Sequence, residues 1–226
     1  RMKRHAARER RKARRLVAGE AAALLYSGQA AEYMDAKKRA ARLLGINLLP
    51  SNAEVALEVE RYALEVEGRR YHERIVEMRR DALAAMTVLR NFSPRLMGST
   101  WRGIVTPWSD IDIHVYSEDP QSVFELVRGE LSDGAELEPI DVVKALEAGA
   151  THRIRGSSAH GFQLEITVKT EASKRKVGLC EIFRDRNTGL TLSGLRRLLS
   201  KQPTKVLVPG EPKRDWLEAI DPEKKS

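Results

Sequence analysis

Two short motifs carry the residue types that could hold a phosphate-bearing substrate: Gly98-Ser99 and Asp110-Ile111-Asp112, with ten residues between Ser99 and Asp110. Side chains two positions apart on a β-strand point to the same face, so Asp110 and Asp112 are predicted to project together. Two carboxylates this close repel each other unless a cation lies near both, and their oxygen atoms suit Mg²⁺ or Mn²⁺. A pair of such ions can bridge a triphosphate, stabilise a leaving pyrophosphate and activate an incoming hydroxyl. The aspartates therefore predict a divalent-metal site for chemistry on a triphosphate.

The first motif and the residues after it supply the predicted contacts to phosphate. Glycine at position 98 lets the backbone approach a ligand closely, and successive N–H groups in such a turn can bind phosphate oxygens. The Ser99 hydroxyl adds a donor, and Arg102 is placed to contact phosphate in the bidentate manner that arginine favours. We therefore expect Gly98, Ser99 and Arg102, together with Ser109, to bind the nucleotide.

In the segments 98–103 and 109–113 the chain resembles the nucleotidyltransferase superfamily typified by DNA polymerase beta. The family pattern is a Gly-Ser or Gly-Gly turn, a short spacer, and then Asp-hydrophobic-Asp/Glu-hydrophobic. This chain has Gly-Ser-Thr-Trp-Arg-Gly and then Ser-Asp-Ile-Asp-Ile, a form similar to that of minimal prokaryotic members and archaeal CCA-adding enzymes. The resemblance covers residues 93–169, and the N-terminal helices look like the extension of a group of prokaryotic nucleotidyltransferase-like proteins.

The resemblance implies transfer of a nucleoside monophosphate from a nucleoside triphosphate, with ATP as the expected donor, to an acceptor hydroxyl. Asp110 and Asp112 would ligate both magnesium ions, and Gly98 and Ser99 would hold the β- and γ-phosphates. In-line attack on the α-phosphorus would release pyrophosphate, and the protein would act by positioning and charge neutralisation.

The family also has a third carboxylate on a later strand, and two residues compete for that role. Glu165 lies within the apolar run 162–168, where a charge is costly unless it is paired or liganded. Asp141 lies within a second apolar run, 139–143. We favour Glu165, because the strand after the hairpin is the usual location. It would bind the catalytic metal and help to deprotonate the acceptor hydroxyl, although the family more often has aspartate here.

Residues 1–90 are predicted to form a helical region. The segment 5–45 is rich in Ala, Arg, Lys and Leu and favours two helices. Ser51 and Glu54 form a capping box that begins a third helix, and Gly68 either ends that helix or marks a weak point in a longer one. A fourth helix follows Gly68.

Residues 91–200 are predicted to form the nucleotidyltransferase domain, and residues 201–226 an extended or loosely docked tail. The fold is therefore expected to be α+β, with a mixed sheet of four to five strands, flanking helices and an N-terminal helical extension. The predicted strands lie at 95–97, 110–116, 137–143, 152–155 and 161–168, and the predicted helices at 119–131 and 191–199.

The positive charge of the chain is concentrated in its N-terminal arm. The net charge is +8, yet residues 1–45 contain 13 Lys/Arg against 4 Asp/Glu, so the remainder is nearly neutral. Such asymmetry indicates a polyanionic partner, and RNA bound through the arm is the favoured acceptor. A solvated helix without a partner is the alternative.

Composition places the protein among cytoplasmic globular chains. No apolar run is long enough to cross a membrane, the N-terminus is too charged for a secretory signal, and the single cysteine, Cys180, cannot form an internal disulfide. Two other functions stay open: transfer of a nucleotide to a protein or small molecule, as in toxins, and an inactive RNA-binding module. The sequence leaves the oligomeric state open.

Four further residues near the motifs permit two interpretations each. Trp101 and Trp108 could stack on a base or pack a loop against the domain. His114 and His160 could act as acid–base groups, although a polar strand residue and a turn residue are the simpler interpretations.

Overall fold

The computed structural model describes residues 2–131, 141–145 and 149–209, with side chains at 5–131 and 151–209. The helices of this part are α1 Met2–Tyr26, α2 Tyr33–Leu44, α3 Asn52–Glu67, α4 Arg69–Val88, α5 Gly98–Arg102, α6 Pro120–Glu130 and α7 Leu192–Lys201. The strands are β1 Arg95–Leu96, β2 Ile111–Tyr116, β3 Asp141–Ala145, β4 Gly149–Ser157, β5 Gln163–Lys169 and β6 Leu190–Thr191. The predicted α+β class is confirmed. None of the described helices combines the length and the apolar character needed to cross a bilayer.

The first three helices pack on one another around small side chains. α1 contacts both α2 and α3, and alanine and valine dominate the buried residues between them. The predicted capping box is present, since Ser51 Oγ accepts from Glu54 N at 3.2 Å and Glu54 Oε2 accepts from Ser51 N at 2.7 Å. α3 ends at Glu67 and α4 begins at Arg69, so Gly68 separates two helices as the first alternative proposed.

Acidic side chains of α3 pair with part of the basic arm. Arg14 forms an ion pair with Glu54, and Arg15 Nε lies 3.1 Å from Glu58 Oε1. Exposed ion pairs of this kind contribute at most about 1 kcal/mol each. Some of the positive charge counted in residues 1–45 is therefore engaged within the helical region.

The sheet has the order β3-β4-β5-β2-β1-β6, with β2 and β5 parallel and the other neighbours antiparallel. Ile111 and Ile113 of β2 are fully buried on the face that packs against α4, α6 and α7. The alternate residues, Asp112 and His114, are half-buried on the opposite face. One face of the sheet thus forms the core, and the other positions polar side chains.

Three elements differ from the prediction. The short helix α5 begins at Gly98 of the Gly-Ser turn, where no helix was predicted. The two-residue strand β6 pairs with β1 and brings the sheet to six strands. The predicted strand 137–143 coincides with β3 over 141–143, whereas residues 137–140 lie outside the described part of the chain.

Within the predicted tail, the described residues 202–209 contact α4 and α5, and residues 210–226 lie outside the described part of the chain. Arg79 of α4 donates to the carbonyl oxygens of Pro203 at 2.6 Å and Lys205 at 2.9 Å. Leu207 N donates to Arg102 O at 2.8 Å, and the Arg102 guanidinium donates back to Leu207 O at 3.0 Å. This segment therefore joins α4 to α5 beside the Gly-Ser turn.

Candidate active site

Three carboxylates lie close together at one end of the parallel pair β2–β5. Asp110 precedes β2, Asp112 is its second residue, and the register places Glu165 of β5 directly beside Asp112. Asp141 begins β3 opposite Arg153, so β4 and β5 separate it from β2; its side chain lies outside the described residues. The structure thus brings Glu165, and not the backbone position of Asp141, next to the aspartate pair.

The Gly-Ser turn is fitted against Asp112. Gly98 has a φ of 65°, and a Cβ added there would lie 2.1 Å from Asp112 Oδ2. Met97 N donates to Asp112 O at 2.8 Å, and Thr100 Oγ1 donates to Asp110 O at 2.9 Å. Glycine is required at this position both for its backbone conformation and for the space that the carboxylate occupies.

The carboxylates share a crowded negative environment. Burial, followed by the charges of Asp110 and Glu165, raises the pKa of Asp112 to about 7. Burial also raises the pKa of Asp110, and Glu165 contributes to that shift. Glu165 itself is held by cations of β4, since its carboxylate oxygens lie 3.1 Å from Arg155 Nε and 3.5 Å from Arg153 Nε. The two aspartates are therefore the carboxylates that most need a further positive charge.

This donor set fits a magnesium or manganese ion that is shared with a substrate. Within the described ranges, no three Asp, Glu, His or Cys side chains form a self-contained metal site. Mg²⁺, however, usually binds one or two carboxylates together with substrate phosphates and water. The pKa values of Asp110 and Asp112 are raised because their charges are buried and repel neighbouring carboxylates. A bound cation would relieve both effects.

A cavity of about 830 Å³ opens from the Gly-Ser turn. Gly98, Ser99 and Ser109 line it on the side of the turn, and the three N-terminal helices form the opposite wall. The helical wall consists mainly of small and apolar residues, namely Leu25, Ser27, Gly28, Ala30, Ala31, Tyr33, Ala56 and Val59. The helical region is therefore part of the candidate site.

Arg102 also lines the cavity, but its guanidinium is already engaged. It is buried, donates to Asp185 Oδ1 at 2.6 Å, and lies 3.9 Å from the centroid of the Trp101 ring. Together with its bond to Leu207 O, these contacts anchor α5 to the segment between β5 and β6 and to the segment after α7. In this arrangement the Arg102 side chain supports the Gly-Ser turn. That Arg102 also contacts phosphate stays a prediction.

The remaining residues singled out from the sequence lie at different distances from the turn. Ser109 Oγ accepts from Thr106 N at 2.9 Å and so stabilises the loop before Asp110. Trp108 is 70% exposed at the cavity, and lies against Gly28 of the helical region. His114 lies on the face of Asp112, and burial lowers its pKa to about 4.

Two charged residues of α4 position the site and were missed by sequence reasoning. Arg79 is fully buried and, besides the bonds to the C-terminal segment, donates to Thr100 O at 3.2 Å and Trp101 O at 3.1 Å. Asp81 accepts from Ser158 Oγ at 2.6 Å and interacts with His160 Nδ1 at 2.7 Å, which fixes the β4–β5 turn.

A sequence signal for these two residues was available. Arg79 lies four positions after Ile75, and Asp81 three after Met78, so both charges interrupt the apolar side of α4. A charge on a buried helix face requires bonding partners, and here backbone carbonyls and a turn supply them.

Comparisons with known proteins bear on the same residues. Residues 91–186 match the family described as nucleotidyltransferase domain, a span that contains both motifs and Glu165. No curated protein matches the chain closely enough to count as a relative.

Several solved structures are similar at low identity. The GLD-2/RNP-8 complex is 17% identical, with 46% of this chain and 42% of that chain covered and a TM-score of 0.28. JHP933 from Helicobacter pylori is 16% identical, with coverage of 53% and 51% and a TM-score of 0.26. The chain thus spans about half the length of these structures. Both TM-scores are too low to support a conclusion about this chain, so the family match is the comparison that bears on it. Residues 91–186 match a nucleotidyltransferase domain.

Proposed function

We propose that the protein is a Mg²⁺-dependent nucleotidyltransferase that moves a nucleoside monophosphate from a nucleoside triphosphate, with ATP as the expected donor, to a hydroxyl of RNA. The observation that carries this proposal is the position of Asp112, between the Gly98 turn and Glu165 of the neighbouring strand. A turn that would bind phosphates, beside carboxylates that would hold two metal ions, supports chemistry on a triphosphate.

The donor would bind across the Gly-Ser turn. Backbone N–H groups of Gly98 and Ser99 would hold its terminal phosphates, and the cavity between the turn and the helical region would hold the nucleoside. A volume of about 830 Å³ lies in the range typical of pockets for small molecules and cofactors. Four aromatic rings line the cavity, namely Tyr33, Trp101, Trp108 and Phe183. Trp108 is the exposed one and would contact a base.

Asp110, Asp112 and Glu165 would hold the magnesium ions, which supply charge neutralisation to the triphosphate and its leaving group. The acceptor oxygen would form a bond to the α-phosphorus as the bond to the bridging oxygen of pyrophosphate breaks. Glu165 is oriented by Arg155 and Arg153 and would accept the proton of the hydroxyl.

Transfer of labelled nucleotide tests this proposal. The full chain is incubated with Mg²⁺, a short single-stranded RNA and each α-³²P-labelled nucleoside triphosphate in turn, and RNA extension is followed on a gel. We expect extension with wild type and its loss in Asp112→Asn. Asp119→Asn at the N-cap of α6 is the matched control, because asparagine caps helices about as well as aspartate.

The same assay distinguishes the alternative functions. Label on an added protein or small molecule, with unextended RNA, would indicate a modifying enzyme of the toxin-like class. If no acceptor is labelled with any nucleotide, and wild type and Asp112→Asn bind RNA equally well, the protein is an inactive RNA-binding module and the proposal is wrong.

A further inference from the structure

A second cavity, of about 350 Å³, lies on the open face of the sheet beside the carboxylates. His114 and Tyr116, the residues that follow Asp112 on the same face of β2, form its floor with Lys169 of β5. Two residues of a strand span about 7 Å, so the cavity begins roughly that far from Asp112. Neither Gly98 nor Ser99 lines it, and it adjoins the cavity of the proposed donor site at Asn187, which lines both. We call it the sheet-face pocket.

The sheet-face pocket is strongly cationic. Arg95, Lys169, Lys174 and Lys176 line it, and none of the described residues that line it is acidic. Lys174 lies 3.9 Å from Glu171 Oε2, but no carboxylate in the described part of the chain is within ion-pair distance of the other three cations. Burial and the nearby charge of Arg153 lower the pKa of Lys169. Positive charge gathered without acidic partners is a site for an anionic ligand.

The shape and chemistry of the pocket favour a nucleic-acid strand. Single strands are bound by positively charged grooves that also present aromatic rings. Tyr116 supplies a ring here, with Lys174 Nζ 5.9 Å from its centroid, and Asn187 and Thr188 supply polar groups at the rim. A strand that lies in the pocket would run along β2 toward Asp112.

The basic arm is the competing site for RNA. Arg14 and Arg15 of α1 are paired with glutamates of α3, whereas Arg8 and Arg11 are exposed and have no ion pair within the described residues. Unpaired charge is thus present at both sites, and the sheet-face pocket differs in lying beside the carboxylates. A phosphate held there would be close to the reacting hydroxyl, whereas one held on α1 would only tether the strand.

We propose that the sheet-face pocket binds the phosphodiester backbone of a single-stranded RNA acceptor and directs its 3′ end to Asp112. This inference rests on the proposed function, because it assigns the acceptor of that reaction. Arg95, Lys169 and Lys176 contact the phosphates, so binding depends on salt and little on base sequence.

Fluorescence anisotropy with a short labelled oligoadenylate, without nucleoside triphosphate, tests the assignment. The pocket variant is Lys169→Gln/Lys176→Gln, and the matched control is Arg8→Gln/Arg11→Gln, which removes two exposed charges from α1. Loss of two phosphate contacts weakens binding roughly tenfold at 0.1 M salt and reduces the salt slope by about 1.4. The control variant is expected to bind within about twofold of wild type.

Several outcomes would overturn the assignment. It is wrong if the arm variant loses as much affinity as the pocket variant, or if wild type does not bind the RNA. It is also wrong if the pocket variant binds RNA normally but needs far more nucleoside triphosphate for transfer, since the pocket then holds donor phosphates. Thermal unfolding checks that the double variant Lys169→Gln/Lys176→Gln folds. If the double variant does not fold, the single variant Lys176→Gln at the exposed position is used in its place. RNA binding is measured without nucleotide transfer. If wild type binds RNA but transfers no nucleotide, the proposed function is wrong and the assignment of the pocket as an RNA site is unaffected.

Discussion

Gly98 and Asp112 are so closely packed that a Cβ on the glycine would lie 2.1 Å from the Oδ2 atom of the aspartate. The turn that would receive phosphates and the carboxylate that would receive the metal are therefore one unit. Any side chain at position 98 must move Asp112, and we expect the chemistry to respond before the fold does.

Gly98→Ala is predicted to abolish most nucleotide transfer, with a loss of at least about a hundredfold, since a displacement of 1 Å can cost that much. Gly45→Ala is the matched control, because Gly45 has a φ of 63° and nothing within 4 Å of its added Cβ. Both variants are expected to lose about 1 kcal/mol of stability from the left-handed backbone. Equal activity in the two variants would show that the contact with Asp112 is unimportant.

Asp112→Asn is predicted to stabilise the metal-free protein more at pH 8 than at pH 5. Between the ordinary pKa of 3.8 and the folded value of about 7, the folded protein holds a proton that the unfolded chain has lost. The carboxyl therefore weakens folding progressively as pH rises through this window, and fully above pH 7. Thermal unfolding of both proteins at the two pH values, with EDTA, measures the difference. An equal gain at both values would contradict the raised pKa.

Arg79→Lys is predicted to destabilise the protein by about 3 kcal/mol, because lysine cannot reach the four carbonyls and leaves a buried charge poorly bonded. Arg80→Lys, at the next and exposed position of α4, is expected to change stability by less than about 0.5 kcal/mol. Urea denaturation measures both variants. A small effect at Arg79 would mean that its bonds to Thr100, Trp101, Pro203 and Lys205 add little.

Trp108→Ala separates the two interpretations of this exposed ring. If it stacks on the donor base, KM for the nucleoside triphosphate rises about tenfold and kcat changes little, since such stacking contributes about 1–3 kcal/mol. Leu43→Ala, which removes a similarly exposed side chain from α2, leaves KM unchanged. An unchanged KM with a lower melting temperature would show that Trp108 only packs its loop against Gly28.

The sequence predicted the elements whose signals are local. The capping box at Ser51, the break at Gly68 and the alternation of Asp110 to Tyr116 each involve residues a few positions apart, and all three are present. The placement of Glu165 beside Asp112 depends on the register of two strands far apart in sequence, so the sequence left Asp141 as a rival.

The features that could not be predicted depend on contacts between distant segments. Helix α5 is fixed by Arg79 and by the chain around Leu207. The apolar side of α4 indicates that Arg79 needs bonding partners, but it does not indicate which segments supply them. The net charge of residues 1–45 overstated the free positive charge of the arm for the same reason. Arg14 and Arg15 lie in that segment, whereas their glutamate partners lie beyond it in α3. The cations of the sheet-face pocket come from distant segments of the chain, and only the fold gathers them.

The carbonyls of Pro203 and Lys205 that satisfy Arg79 have a consequence for synthesis on the ribosome. Until these residues emerge, the buried Arg79 guanidinium lacks two of its four acceptors, and helix α5 lacks part of its support. During translation, a domain can form only the tertiary contacts whose residues have already been synthesised. The nascent protein can thus form its helices and its sheet early, but the support of the Gly-Ser turn is complete only once Lys205 has left the exit tunnel.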